Sequence, residues 1–239
     1  MKNKLINIFL ILALVAGLSL LLYPTVSDYW NSLHASQAVA SYDQAVKSMD
    51  EGKYDELLQR AGQYNRDLFL RGTLFALTDE EREDYNSQLD IDGSGVMGYI
   101  EIPEIACSLP IYHGTEESVL QVAVGHLEWS NLPVGGEGTH CVLSGHRGLP
   151  SAKLFTNLDK LAVGDTFLLR VLDEVLTYEV DQILIVEPEQ VDALGIMPGE
   201  DYCTLVTCTP YGINTHRLLV RGHRVENTPE AARMHVTAD

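Results

Sequence analysis

The sequence predicts a mainly β domain, a sandwich or a barrel, preceded by helices and by an apolar segment able to anchor it in a membrane. Three observations predict this. From Val96 to Val225, short runs rich in Val, Ile, Leu, Tyr and Thr are separated by Gly, Pro and Asp, the rhythm of short strands and turns. From Ser27 to about Leu70, apolar residues recur at mixed spacings of three and four, as on an amphipathic helix. Leu5 to Leu22 is uncharged and leucine-rich, close to the ~20 residues that a helix needs to cross a hydrocarbon core.

Lys2 and Lys4 precede the apolar run and no lysine follows it closely, which keeps the N-terminus in the cytoplasm and places everything from about Tyr23 outside. A cleavable signal has a shorter apolar core and a small-x-small site directly after it. Here the run ends in Leu21-Leu22-Tyr23-Pro24, and Ala38-Val39-Ala40 lies well downstream on helix-like sequence, so an uncleaved anchor is the favoured reading. Trp30, Leu33, Val39, Tyr42, Val46 and Met49 form one apolar helical face; Gly52 interrupts it; Tyr54, Leu57, Leu58, Ala61 and Tyr64 resume it. Both helices are expected on the outside of the β domain. Residues 71–92 are acidic, with Asp79-Glu80-Glu81-Arg82-Glu83-Asp84 at the centre, and read as a solvated helix or loop leading to Gly93-Ser94-Gly95.

Strands are expected at Met97–Ile102, Ser108–Tyr112, Thr139–Ser144, Thr166–Leu172, Val175–Pro188, Tyr202–Thr207 and Arg217–Val225, with short helical connectors at Ser151–Leu158 and Gln190–Ala193. The chain therefore divides into a cytoplasmic tip and anchor (1–26), an extracytoplasmic helical segment (27–92), a β domain (93–225) and a polar tail (226–239) with no second apolar span.

A formal net charge of -18 excludes a phosphate-backbone partner, because nucleic-acid affinity rests on Lys and Arg neutralising phosphates. The hydrophobic share of 46% suits a packed core. Of the four cysteines, Cys107, Cys141 and Cys203 are open to two readings, disulfide partners in an exported chain or small buried residues. No Cys-x-x-Cys or His-x-x-x-His pairing stands anywhere, so neither zinc nor any other cofactor is expected.

The chemistry gathers at Cys208. Thr204-Leu205-Val206-Thr207 favours a strand, Pro210-Tyr211-Gly212 forces a turn, and Leu218-Leu219-Val220 resumes an extended pattern, so Cys208 and Arg217 should flank one loop between paired strands. Upstream, Cys141-Val142-Leu143-Ser144-Gly145-His146 repeats the design, with a strand that delivers a histidine. A thiol attacks only as thiolate, and a free cysteine near pKa 8.5 is mostly protonated at neutral pH. His146 and Arg217 both raise the local positive potential. Arg147 reads as a solvated charge. His216, next to Arg217 on a strand, should point to the opposite face and be structural.

These blocks resemble the sortases, the cysteine transpeptidases of Gram-positive cell surfaces, and especially their class C, pilin-polymerising branch. The resemblance runs roughly from Gly93 to Arg224 and includes Gly98-Tyr99-Ile100-Glu101-Ile102-Pro103, Ile111-Tyr112-His113-Gly114-Thr115, Val124-Gly125-His126-Leu127-Glu128 and Leu149-Pro150-Ser151-Ala152-Lys153-Leu154-Phe155. It implies an eight-stranded β-barrel, within which the strands bearing Cys141 and Cys203 would lie side by side in parallel. It implies Cys208 as the nucleophile that cuts an LPxTG-like sorting signal between Thr and Gly and holds the acyl group as a thioester. His146, alone of the eight histidines in a Ser-Gly-His-Arg-Gly setting, is then the acid and base, and Arg217 the clamp on the substrate carbonyl or oxyanion.

The implied partners are pilins or surface proteins bearing the signal, an amine acceptor (for class C a pilin lysine), and the membrane. Attachment of single surface proteins to peptidoglycan, simple proteolysis of a sorting signal and a catalytically silent barrel are the other readings. Class C members often carry an Asp-Pro-aromatic lid before the barrel. No proline here follows an aspartate, and Asp67-Leu68-Phe69 is the nearest stand-in.

Overall fold

In the computed structural model, which describes residues 2–71 and 77–228, eight strands close into one barrel. They are β1 (Val96–Ile102), β2 (Cys107–His113), β3 (Val124–His126), β4 (Thr139–Ser144), β5 (Thr166–Val171), β6 (Glu174–Val186), β7 (Asp201–Thr209) and β8 (His216–Val225). The order around the barrel is β1-β2-β3-β4-β7-β8-β6-β5, closing back on β1. The β2–β3 and β4–β7 pairs are parallel and the others antiparallel. Closure leaves no unpaired sheet edge.

Strand alternation sorts the side chains into two sets. Inward residues such as Ile100, Ile102, Ile111, Leu143, Phe167, Leu169, Leu205 and Val220 fill one core, each fully buried, and each such burial stabilises the fold by ~1.5–3 kcal/mol. Outward residues Val142 on β4, Val206 on β7, Leu219 on β8 and Leu184 and Val186 on β6 form a second apolar strip. Leu127, Trp129 and the 3₁₀ turn Asp192–Leu194 cover it. Glu101 and Arg170 are also buried, and their side chains meet at 2.6 Å.

Among the described residues, four α-helices complete the fold: α1 (Lys2–Lys47), α2 (Glu51–Arg71), α3 (Asp79–Ser87) and α4 (Glu117–Leu120). The N-terminal half of α1 exposes its leucines and is long and apolar enough to cross a membrane. The helix passes through Pro24 without a break. Its later half docks on the barrel: the Tyr42 hydroxyl donates to Met97 O (3.1 Å) and accepts from Leu172 N (2.7 Å). Asn31 Nδ2 donates to Ser151 O (2.8 Å), while Lys153 N donates to Asp28 Oδ1 (2.8 Å), so α1 also clasps the segment that follows the histidine loop.

The acidic stretch forms α3, started by a capping box in which Glu81 N donates to Thr78 Oγ1 and Thr78 N donates to Glu81 Oε2. Its one buried side chain, Tyr85, lies within hydrogen-bond reach of His126 Nδ1 (2.9 Å) and accepts from Gly114 N (3.0 Å), which ties α3 to the barrel.

Three sequence expectations need correction. Ser151–Leu158 is not helical: the chain turns there, with Leu154 at φ 39°, and only Leu158–Lys160 makes a 3₁₀ turn. The expected connector at Gln190–Ala193 is likewise reduced to the Asp192–Leu194 turn. β3 went unpredicted as a strand because three residues carry too little pattern. Of the polar tail, residues 229–239 lie outside the described residues.

Candidate active site

β7 and β8 pair in a register that places Cys208 directly opposite Arg217. Alternation decides where the thiol points: Cys203 and Leu205 enter the core and Val206 joins the outer strip, so Cys208 emerges on the outer face at the end of that strip. It is partly exposed, whereas Cys107, Cys141 and Cys203 are buried. Burial pushes the Cys107 thiol up to about 12, which removes it as a nucleophile at neutral pH.

The histidine is brought to the same end by the parallel β4–β7 pair. Its last register partners are Ser144 and Val206. Gly145 N then donates to Val206 O (3.1 Å), and Thr207 Oγ1 donates to Gly145 O (2.7 Å), stitching the exit of β4 to β7. Two residues past the last pair on each strand stand His146 and Cys208. Gly145 is required here because a Cβ would sit 2.7 Å from the Phe155 ring, and that ring's backbone N–H donates to His146 O (3.1 Å). The His146 side chain is 27% exposed, and its Nε2 lies 3.6 Å from Glu117 Oε2 with no hydrogen-bond partner.

Arg217 is steadied by its own loop. Its Nη1 donates to Asn214 O (3.3 Å) and His216 O (3.2 Å), and the loop closes on itself as Ile213 N and Asn214 N both donate to Pro210 O (3.0 Å each). The exits of β4 and β7 and the start of β8 thus bring His146, Cys208 and Arg217 to the same end of the barrel.

The competing histidines are engaged elsewhere. His140 lies within 2.9 Å of Gly195 O and 2.7 Å of Thr204 Oγ1; His126 is held by Tyr85 and Asn131 O, and His113 by Gly95 O and Gln88 O. His216 approaches Glu187 at 3.6 Å. Among the described residues, no group of three or more His, Cys, Asp or Glu side chains is arranged to hold a metal ion.

Residues 100–225, more than half of the chain, match the Sortase domain family. The chain belongs to the sortase family. Three solved class C structures are similar to this sortase. Sortase C1 from Streptococcus agalactiae is 56% identical with a TM-score of 0.79, over 80% of this chain and 100% of that one. Streptococcus pneumoniae sortase C, whose structure addresses catalysis and pilin substrate specificity, is 45% identical with a TM-score of 0.73, over 80% and 97% of the two chains. Clostridium perfringens sortase C, solved with the C-terminal cell wall sorting motif, is 45% identical with a TM-score of 0.72, over 81% and 100%. The chain spans about half the length of the first curated relatives it matches: 33% identity to sortase A of Streptococcus agalactiae serotype III (strain NEM316) extends over 138 residues, 56% of this chain and 55% of that protein.

Two features of this sortase were not foreseen. Arg147 is not solvated: its side chain is 8% exposed, pairs with Asp159, reaches Thr209 Oγ1 (3.4 Å) and lies 5.8 Å from the Tyr211 ring centroid. It therefore joins the residue after His146 to the residue after Cys208. Glu117, 29 residues before His146 in sequence, had no local signal to connect it with that ring. Asp67-Leu68-Phe69, the stand-in for a lid, belongs to α2. A Cβ at Gly138 would sit 3.5 Å from the Phe69 ring, beside the start of β4 and β7. Cys208 lies seven residues along β7, roughly 23 Å away at strand rise, so this triplet does not cover the thiol.

Proposed function

We propose that this sortase cleaves an LPxTG-like sorting signal through a Cys208 thioester and passes the acyl group to an amine, the lysine of a pilin subunit, in pilus assembly. One observation carries the reading: a partly exposed cysteine is set opposite an arginine by strand register and level with a histidine by the adjacent parallel strand. The thiolate of Cys208 attacks the carbonyl between Thr and Gly. Arg217 offers its guanidinium to the oxygen on which charge develops. His146, protonated, gives its proton to the departing amine as the C–N bond breaks.

The class C neighbours, one described in terms of pilin substrate specificity and another solved with a sorting motif, support the choice of signal and acceptor. The apolar half of α1 supports a single-pass anchor with the N-terminus in the cytoplasm and residues 93–225, the catalytic barrel, outside. The test uses the full-length protein in detergent with a tagged LPxTG-type peptide. Intact mass should show an acyl adduct that Cys208→Ala abolishes, and offering a pilin lysine beside a peptidoglycan amine identifies the acceptor by the mass of the conjugate. No adduct on the parent protein leaves only a silent barrel.

A further inference from the structure

Glu117 sits at the start of α4, between β2 and β3, with its side chain 72% exposed and its Oε2 3.6 Å from His146 Nε2. Its other oxygen accepts from Gln121 Nε2. Among the described residues, no lysine or arginine forms an ion pair with it. The neighbouring Glu116 is turned away, its carboxylate lying over Gly114. A carboxylate without a permanent counter-ion therefore faces solvent beside the ring assigned as base.

The charge of the site changes when Cys208 is acylated. On the acyl-transfer reading, Cys208 attacks as a thiolate and His146 carries the proton. The thioester is neutral, and His146 is neutral after giving up its proton. Arg217 then remains as an uncompensated cation near the reacting carbonyl. A lysine side chain, with a pKa near 10.4, arrives protonated at neutral pH and would be repelled by that guanidinium unless a negative group stood close to the base.

We infer that Glu117 is a specificity residue: it receives the ammonium group of the acceptor lysine and holds it beside His146. This inference rests on the acyl-transfer reading above. The ammonium then gives one proton to His146, the freed amine attacks the thioester carbonyl, the C–S bond breaks to release the Cys208 thiolate, and the second nitrogen proton passes to solvent as the amide forms. The resting thiolate and imidazolium are restored. Water and other neutral nucleophiles gain nothing from the carboxylate, so Glu117 favours a cationic acceptor over hydrolysis.

The test compares the parent, Glu117→Gln and Glu117→Asp as full-length proteins in detergent, each acylated with an LPxTG-type peptide. Release is measured with a lysine-bearing pilin peptide and with hydroxylamine, which is uncharged at neutral pH. The ratio of lysine to hydroxylamine use, expressed through KM, should fall about five-fold in Glu117→Gln, as expected for one exposed charge pair. The gap should shrink at high salt, and Glu117→Asp should recover part of the ratio. An equal loss with both nucleophiles would mean that the carboxylate only positions His146, and would overturn the inference. So would an unchanged ratio. A parent enzyme that forms the adduct yet ignores lysine overturns the acceptor reading and this inference with it, a result distinct from a lysine-using parent whose Glu117→Gln variant behaves identically.

Discussion

Cys208 and Arg217 face each other across the last rungs of the β7–β8 ladder, on the outer wall of the barrel. Directly opposed residues of an antiparallel pair carry their Cβ atoms ~4.5–5.5 Å apart on the same face. Register thus fixes the two backbones opposite each other, and the Asn214 and His216 carbonyls of the adjoining loop hold the guanidinium.

Removing it should therefore damage chemistry more than structure. Arg217→Ala should slow formation of the Cys208 acyl adduct by about 10²–10³-fold, the usual effect of losing one oxyanion donor, with the melting temperature near that of the parent. Arg217→Lys should recover only part of the rate, since an ammonium keeps the charge and loses the planar fork. An alanine variant that reacts as fast as the parent would remove Arg217 from the mechanism.

Thiol exposure predicts a single reactive site. In the native protein iodoacetamide should label Cys208 alone, while Cys107, Cys141 and Cys203 become reactive only after unfolding. Peptide mapping of Cys208→Ala should then find no native label. Labelling of Cys141 or Cys203 under native conditions would contradict their enclosure, side by side in the β4–β7 register, within the barrel core.

The Glu101–Arg170 pair is buried on both sides, so taking away one partner strands a charge in the core. Arg170→Met should cost ~3–5 kcal/mol in urea unfolding. The Asp28–Lys153 contact, whose lysine is 78% exposed, should cost only about 0–1 kcal/mol when broken by Lys153→Ala.

His140 sets an acid limit to stability. Burial holds its pKa below the ordinary histidine value, against the opposing effect of its bond to Gly195 O. As pH falls through about 6.5 the unfolded chain takes up a proton that the folded chain resists, so the unfolded state binds more protons and stability declines. Urea midpoints measured from pH 7.5 down to 5 should fall, and His140→Asn should flatten that slope. A slope identical in both proteins would assign the loss to other groups.

Much of this arrangement was legible in the sequence. The β-rich runs predicted seven of the strands because each had alternation or a β-branched composition bounded by Gly or Pro. The cysteine, histidine and arginine stood at strand ends marked by turn residues. What stayed hidden depends on contacts between distant segments. Val124-Gly125-His126 is extended only because β2 and β4 offer it hydrogen bonds on both sides. Arg147 looked solvated because nothing near it in sequence reveals Asp159 and Tyr211, which enclose it. The capping box at Thr78 and Glu81 was readable, and marks α3 within a stretch whose net acidity alone left helix and loop undecided.

α1 has a mechanical consequence. Its 46 residues form one rod about 69 Å long at 1.5 Å per residue, with Pro24 as the built-in place to bend. The same rod that would stand in the lipid also grips residues 151–153, a few positions beyond His146. Were the apolar half embedded in a bilayer, the end of the barrel that carries His146 would keep a set elevation above it and lean when the rod leans.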